Sequence, residues 1–146
     1  MTVKNLLKQK GNTVVTIHKD HNVKQAVEVL IRHNIGAIIV VDDQENPLGI
    51  VSERDILREV HHHGDVMEAT PIQKIMTSEL IIGLLGDSLD YVQCIFTKNR
   101  IRHLPIFDQG KMVGIISIGD VVKTRLKEQE VENHYLRNFI MDKYPG

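Results

Sequence analysis

Apolar positions recur along this chain in two matching sets. Val23, Ala26, Val27, Leu30 and Ile31 follow the i, i+3, i+4, i+7, i+8 spacing of a helix with one buried face, and Asn22 stands where an N-cap belongs. Further on, Leu89, Val92 and Phe96 keep most of that stripe, with Ser88 or Asp87 at the cap. A short apolar run follows each helix (Ile38 to Val41; Leu104 to Phe107), then a polar turn (DDQENP; DQGK), then a second apolar run. The turns are short enough for hairpins. The second runs end in LGIVSERDIL (48–57) and VGIISIGDVV (113–122), strand-to-helix junctions that share Gly, Ser and Asp: Gly49, Ser52, Asp55 and Gly114, Ser117, Asp120. Leading strands are expected at Val14–Ile17 and, less clearly marked, at Glu79–Leu84.

The pattern is a repeat. IGAIIVVD (35–42) falls on IRHLPIFD (101–108) at an offset of 66, and one extra turn residue in the first copy shortens the later offset to 65. Each copy reads strand, helix, strand, strand, helix. A unit of about 60 residues buries too little surface to be comfortably stable by itself, so the pair is the folding unit. The expected organisation is a first repeat over 1–60, a linker over 61–70, a second repeat over 71–127 and a C-terminal helical extension over 128–146. EVHHHGDVMEATP reads as a helix end and a loop stopped by Gly64 and Pro71. Residues 121–144 carry many charges and no Gly or Pro, and read as continuing helix.

Composition narrows the function. In 146 residues, 42% are hydrophobic and 25% charged, as in an ordinary globular chain, and the net charge of −1 offers no broad basic field for a polynucleotide. No apolar run approaches the roughly 18 residues of a membrane span, and MTVKNLLKQKGN lacks a signal-peptide core, so a cytoplasmic protein without membrane or nucleic-acid partners is expected. The single Cys94, beside Tyr91, Val92, Ile95 and Phe96, reads as a small buried hydrophobe. There is no G-x-G-x-x-G, no P-loop lysine motif and no G-x-S-x-G elbow, nor a nucleophile with its base, so no enzyme and no catalytic cofactor are expected. Residues His61, His62 and His63 would point about 100° apart on a helix and cannot all reach one ion. His18, His21, His33 and His134 show no ligand spacing either, and no metal is expected.

At each junction a Ser opens a helix with Asp three residues on, close to a capping box. Capping accounts for such a pair by itself. The second occurrence adds weight to another role, because Asp recurs while its neighbours drift (Glu53 and Arg54 against Ile118 and Gly119) and an ionised Asp can accept from two adjacent hydroxyls. Capping and binding are compatible.

The tandem copies, the G-h-h-S-x-x-D junctions and the IRHLPIFD segment resemble a pair of cystathionine beta-synthase (CBS) domains over residues 3–127. The resemblance implies an α+β fold, two β-α-β-β-α repeats packed sheet to sheet with pseudo-twofold symmetry, and clefts that take adenosine-containing ligands. It assigns the ribose to Asp55 and Asp120, with Ser52 and Ser117 beside them. In that setting Arg102 and His103, otherwise a solvated strand end, suit phosphate oxygens; Gly36 and Ala37 stand at their places in the first repeat, where Arg54 can partly compensate. Ile35, Ile50, Ile101 and Ile115 are candidates for the adenine walls, and Thr16 a weaker one because the second copy has Ile82 there. The implied protein is a regulatory module binding AMP, ADP or ATP on behalf of an unidentified partner. NADH or S-adenosylmethionine as ligand, and a structural adaptor without nucleotide, stay open. A homodimer is expected, with Leu126, Val131, Tyr135, Leu136, Phe139 and Ile140 giving the C-terminal helix a face for a neighbouring chain.

Overall fold

The computed structural model describes the backbone of residues 1–143 and the side chains of residues 1–137. Residues 144–146, and the side chains of Phe139 and Ile140, lie outside the described residues. The order of elements is α1 (Val3–Lys10), β1 (Thr16–His18), α2 (Val23–His33), β2 (Ala37–Val41), β3 (Pro47–Ser52), α3 (Glu53–His63), a 3-10 turn (Ile72–Lys74), β4 (Gly83–Leu84), α4 (Leu89–Asn99), β5 (His103–Asp108), β6 (Lys111–Ser117) and α5 (Ile118–Lys143). The fold is α+β, with two three-stranded sheets ordered β1-β2-β3 and β4-β5-β6. In each, the leading strand runs parallel to the centre strand and the hairpin partner antiparallel. The α5 helix continues directly from the second junction into the expected extension, as far as Lys143.

The two copies agree in detail. Both hairpins carry a register shift at the same place, between Val40 and Val41 and between Ile106 and Phe107. The first helix of each copy ends on a left-handed residue, Asn34 (φ 51°) and Arg100 (φ 54°), and the next residue donates back into the helix: Ile35 N–H to Leu30 O at 3.1 Å, Ile101 N–H to Phe96 O at 3.2 Å. Asn22 and Ser88 cap α2 and α4, so Ser88, not Asp87, is the second cap.

In space, the chain divides into two compact units, one of Thr13–Ile82 and one joining Met1–Asn12 to the chain from Gly83 onward. The α1 helix, which repeat periodicity does not announce, thus belongs with the second repeat. A capping box between Thr2 and Asn5 starts it, and Val3, Leu6 and Leu7 are buried with Leu89, Val92, Phe96, Leu104, Ile106 and Ile116. Its first residues are tied to the turn before α4, with Val3 N–H bonded to Asp87 O at 2.9 Å and Leu89 N–H to Met1 O at 3.2 Å. The first repeat has the same strap from its own side of the sequence: Ile72 N–H bonds His21 O at 2.9 Å, Val23 N–H bonds Thr70 O at 2.9 Å, and Ile72 is buried with Val23, Ile38 and Val51. Met1, Val3 and Leu7 therefore correspond to Thr70, Ile72 and Met76, each 69 residues on. Past that point the straps part: α1 stays helical through Lys10, whereas the first-repeat strap turns extended and pairs Thr77 with Ile50.

Two apolar expectations need correction. Cys94 is exposed, because Val92 and Phe96 hold the inward face of α4 and a residue two positions from Val92 lies about 200° around the helix. Ile31 is 74% exposed at the end of the α2 stripe, beside an open apolar hollow of about 430 Å³ between α2 and α3 that Ile35 and Leu57 also line. Among the described residues, no helix is long and apolar enough to cross a membrane.

Candidate functional site

Both junctions are built alike. In the second repeat the pairing of β5 with β6 sets His103 opposite Ser117 and Pro105 opposite Ile115. The first N–H of α5, from Ile118, bonds Arg102 O at 2.9 Å, which ties the residue before β5 to the helix start. Ser117 N–H donates to Asp120 Oδ2 at 2.8 Å and Asp120 N–H donates to Ser117 Oγ at 3.1 Å. In the first repeat Glu53 N–H bonds Gly36 O at 3.0 Å, Ala37 stands opposite Ser52, and Ser52 N–H donates to Asp55 Oδ2 at 2.8 Å. The capping reading is therefore correct at both places, with Asp in the position usually taken by Glu or Gln. The bond leaves each carboxylate at the mouth of its helix, half-buried, where the backbone dipole favours negative charge.

The occupants of the two carboxylates differ. Lys10, the last residue of α1, donates from Nζ to Asp120 Oδ2 at 2.6 Å and to Ile115 O at 2.7 Å. Burial pushes the Asp120 carboxyl up, and hydrogen bonds from Lys10 and the Ser117 backbone, with the Lys10 charge, outweigh that push and hold it below the ordinary carboxylate range. In the first repeat the cation beside Asp55 is Arg58, with Nη1 at 3.7 Å and a largely exposed side chain. Ile50, the counterpart of Ile115, exchanges backbone hydrogen bonds with Thr77 at 2.9 and 3.0 Å instead of meeting an ammonium.

The second unit thus draws Lys10, Arg102, His103, Ile115, Ser117 and Asp120 together through β5, β6, α1 and the start of α5. Arg102 is exposed and His103 half-buried at the first position of β5. Arg54 is exposed on the first turn of α3, and Thr16 is exposed at the start of β1, opposite Ile39. Ile35 and Ile101 are half-buried against the cores of their own units, so as adenine walls each would present only part of its side chain. Lys10 is the residue that repeat-based reasoning missed. Its signal lies in VKNLLKQK, where Val3, Leu6, Leu7 and Lys10 share one helical face.

His18, Asp20 and Asp43 form the cluster, among the described residues, whose ligating atoms lie close enough for a metal ion. Here Nε2 of His18 faces Asp43 Oδ1 at 2.6 Å and Nδ1 faces Asp20 Oδ2 at 3.5 Å. Nδ1 accepts the Asp20 backbone N–H at 3.2 Å, so the cluster is held by hydrogen bonds between the turn after β1 and the β2–β3 turn.

Comparison with known proteins agrees with this architecture. The family model for the CBS domain matches the chain twice, at residues 11–62 and 72–127, and the chain belongs to that family. A curated relative, the mitochondrial CBS domain-containing protein CBSX3 of Arabidopsis thaliana, is 33% identical over 98% of this chain and 73% of its own length. Among solved structures, the CBS-domain containing protein ATU1752 from Agrobacterium tumefaciens is 38% identical, with a TM-score of 0.84 over 86% of this chain and 99% of that one. The CBS domain pair of protein MJ0100, solved in complex with 5-methylthioadenosine and S-adenosyl-L-methionine, is 25% identical, with a TM-score of 0.78 over 88% of this chain and 98% of that one.

Proposed function

We propose that this protein is a non-catalytic regulatory module that binds an adenine nucleotide, AMP, ADP or ATP, at the Ser117–Asp120 junction. The observation that carries this reading is the company Asp120 keeps: a carboxylate held ionised for a ribose diol, with Lys10 at 2.6 Å and Arg102 tied by its carbonyl to the same helix start. A carboxylate beside an ammonium matches a ligand with hydroxyl donors at one end and phosphates at the other. The first-repeat junction, with Gly36 and Ala37 in place of Arg102 and His103, is the weaker site or one for an uncharged ligand. The module acts as a cytoplasmic homodimer and passes its ligation state to a partner protein.

Two observations favour other readings. The MJ0100 pair, whose solved complex holds 5-methylthioadenosine and S-adenosyl-L-methionine, supports an adenosyl ligand without phosphate. The contact of Lys10 with Asp120 supports an adaptor whose site is filled by its own side chain.

Thermal shift against adenosine, AMP, ADP, ATP, NADH, S-adenosylmethionine and methylthioadenosine separates these readings. A ligand at 100 times its dissociation constant stabilises the fold by about 2.7 kcal/mol. The nucleotide reading expects AMP, ADP or ATP to give the largest shift. A response only to the two sulfur-containing ligands gives the site to them, and no response to any compound leaves the adaptor.

A further inference from the structure

In this fold the acceptors that a nucleoside needs at the second junction are already taken. Nζ of Lys10 sits 2.6 Å from Asp120 Oδ2 and 2.7 Å from Ile115 O, placing N–H donors where a ligand's hydroxyl or amino donors would go. The contact is anchored. The α1 backbone is held by the buried Val3, Leu6 and Leu7 and by the bonds from Val3 and Lys4 to Asp87 O and Leu85 O, so the side chain starts from a fixed point. Its four-carbon stem, with the side chain 35% exposed, can swing without moving the helix. The device is confined to one repeat, since Ile50, the first-repeat counterpart of Ile115, exchanges backbone hydrogen bonds with Thr77, and the cation beside Asp55 is the largely exposed Arg58 at 3.7 Å.

We infer that Lys10 is the specificity-determining residue of the second-repeat site: its ammonium holds Asp120 and the Ile115 carbonyl against uncharged nucleosides and yields them to a ligand whose phosphate accepts the ammonium in exchange. This rests on the reading that a nucleotide binds at this junction. Adenosine must displace the ammonium into water and offers it no new partner. AMP or ATP displaces it onto an oxyanion, so one ion pair replaces another. Selectivity for phosphate then comes partly from a cost imposed on the ligand that lacks it.

The test is calorimetry of adenosine, AMP and ATP on the wild-type protein, Lys10→Met and Lys10→Arg, with circular dichroism as the check of fold. Lys10→Met is expected to bind adenosine more tightly and AMP more weakly, so that the preference for AMP over adenosine falls by about tenfold or more. Lys10→Arg, which keeps the charge, is expected to retain most of that preference. An AMP-to-adenosine ratio unchanged in Lys10→Met, with wild-type binding intact, overturns the inference and leaves the proposed function standing. If none of the three proteins binds any of the three compounds, the proposed function itself fails and the inference with it. Adenosine binding that appears only in Lys10→Met, with AMP or ATP bound by the wild type, supports both. An independent readout is the Asp120 carboxyl signal in a carbon-13 NMR titration, which should move toward the ordinary aspartate range in Lys10→Met; if it stays in place, the contact does not form in solution and the inference is overturned.

Discussion

Leu7 lies against Gly114 so closely that a Cβ on the glycine would sit 2.9 Å from Leu7 Cδ2. The glycine of the repeated junction is thus the gap through which α1 reaches β6, and Gly49 has the same relation to the strap of the first repeat, where a Cβ would meet Thr77 O at 2.7 Å and Met76 Sδ at 2.8 Å. The obstacles differ in kind. A leucine methyl can turn away, whereas a carbonyl engaged with Ile50 N–H at 3.0 Å cannot move without breaking that bond. Both Gly49→Ala and Gly114→Ala are expected to destabilise within the roughly 1–3 kcal/mol range of overpacking, Gly49→Ala the more. Urea denaturation of the two variants checks the order, and a larger loss for Gly114→Ala contradicts this account.

The depressed Asp120 carboxyl makes part of the stability depend on pH. Its folded value lies below the unfolded one, so the contribution is complete above the ordinary aspartate value near 3.9 and disappears as pH falls through the folded value. Partly exposed, the pair with Lys10 is worth no more than about 1 kcal/mol. The stability difference between wild type and Asp120→Asn should be constant from about pH 7 to 5 and shrink below about 4. Urea melts across that range measure it; a difference that grows on acidification has the wrong sign.

Hydrogen bonds to charged groups contribute about 1.5–3 kcal/mol, and 1.4 kcal/mol is tenfold in affinity. On the proposed reading Asp120→Ala weakens AMP or ATP binding by at least about tenfold, Arg102→Ala penalises the nucleotides far more than adenosine, and Asp55→Ala matters less. Calorimetry that finds binding lost in Asp55→Ala and intact in Asp120→Ala places the principal ligand at the first junction.

Assembly is expected to use the C-terminal helix. Leu126 at the end of the second repeat, and Val131, Tyr135 and Leu136 beyond it, are exposed on α5, an apolar surface that association would cover. Light scattering should give twice the 16.6 kDa chain mass, and Val131→Glu with Tyr135→Glu should return it to the single-chain mass. If that variant stays dimeric while Ile31→Glu with Leu57→Glu dissociates, the hollow between α2 and α3 is the interface instead. A monomeric wild type across micromolar concentrations removes the homodimer altogether.

What the sequence determined by itself is what short-range bonding enforces. Helix stripes, hairpin turns and the Ser-Asp boxes close over two to eight residues, so Ser52 with Asp55 and Ser117 with Asp120 could be paired by counting along the chain. The resemblance of the doubled junction to CBS domains then supplied the family. Tertiary structure alone decided which repeat receives the N-terminal segment: α1 buries Val3, Leu6 and Leu7 against the second sheet, and only that docking carries Lys10 across 110 residues of chain to Asp120. The same holds for Cys94, turned outward because its neighbours fill the core face, and for His18, which meets Asp43 only once β1 lies beside β2. Spacing encodes which residues share a face, but not which surface that face will bury, because any apolar surface of fitting shape satisfies the same pattern.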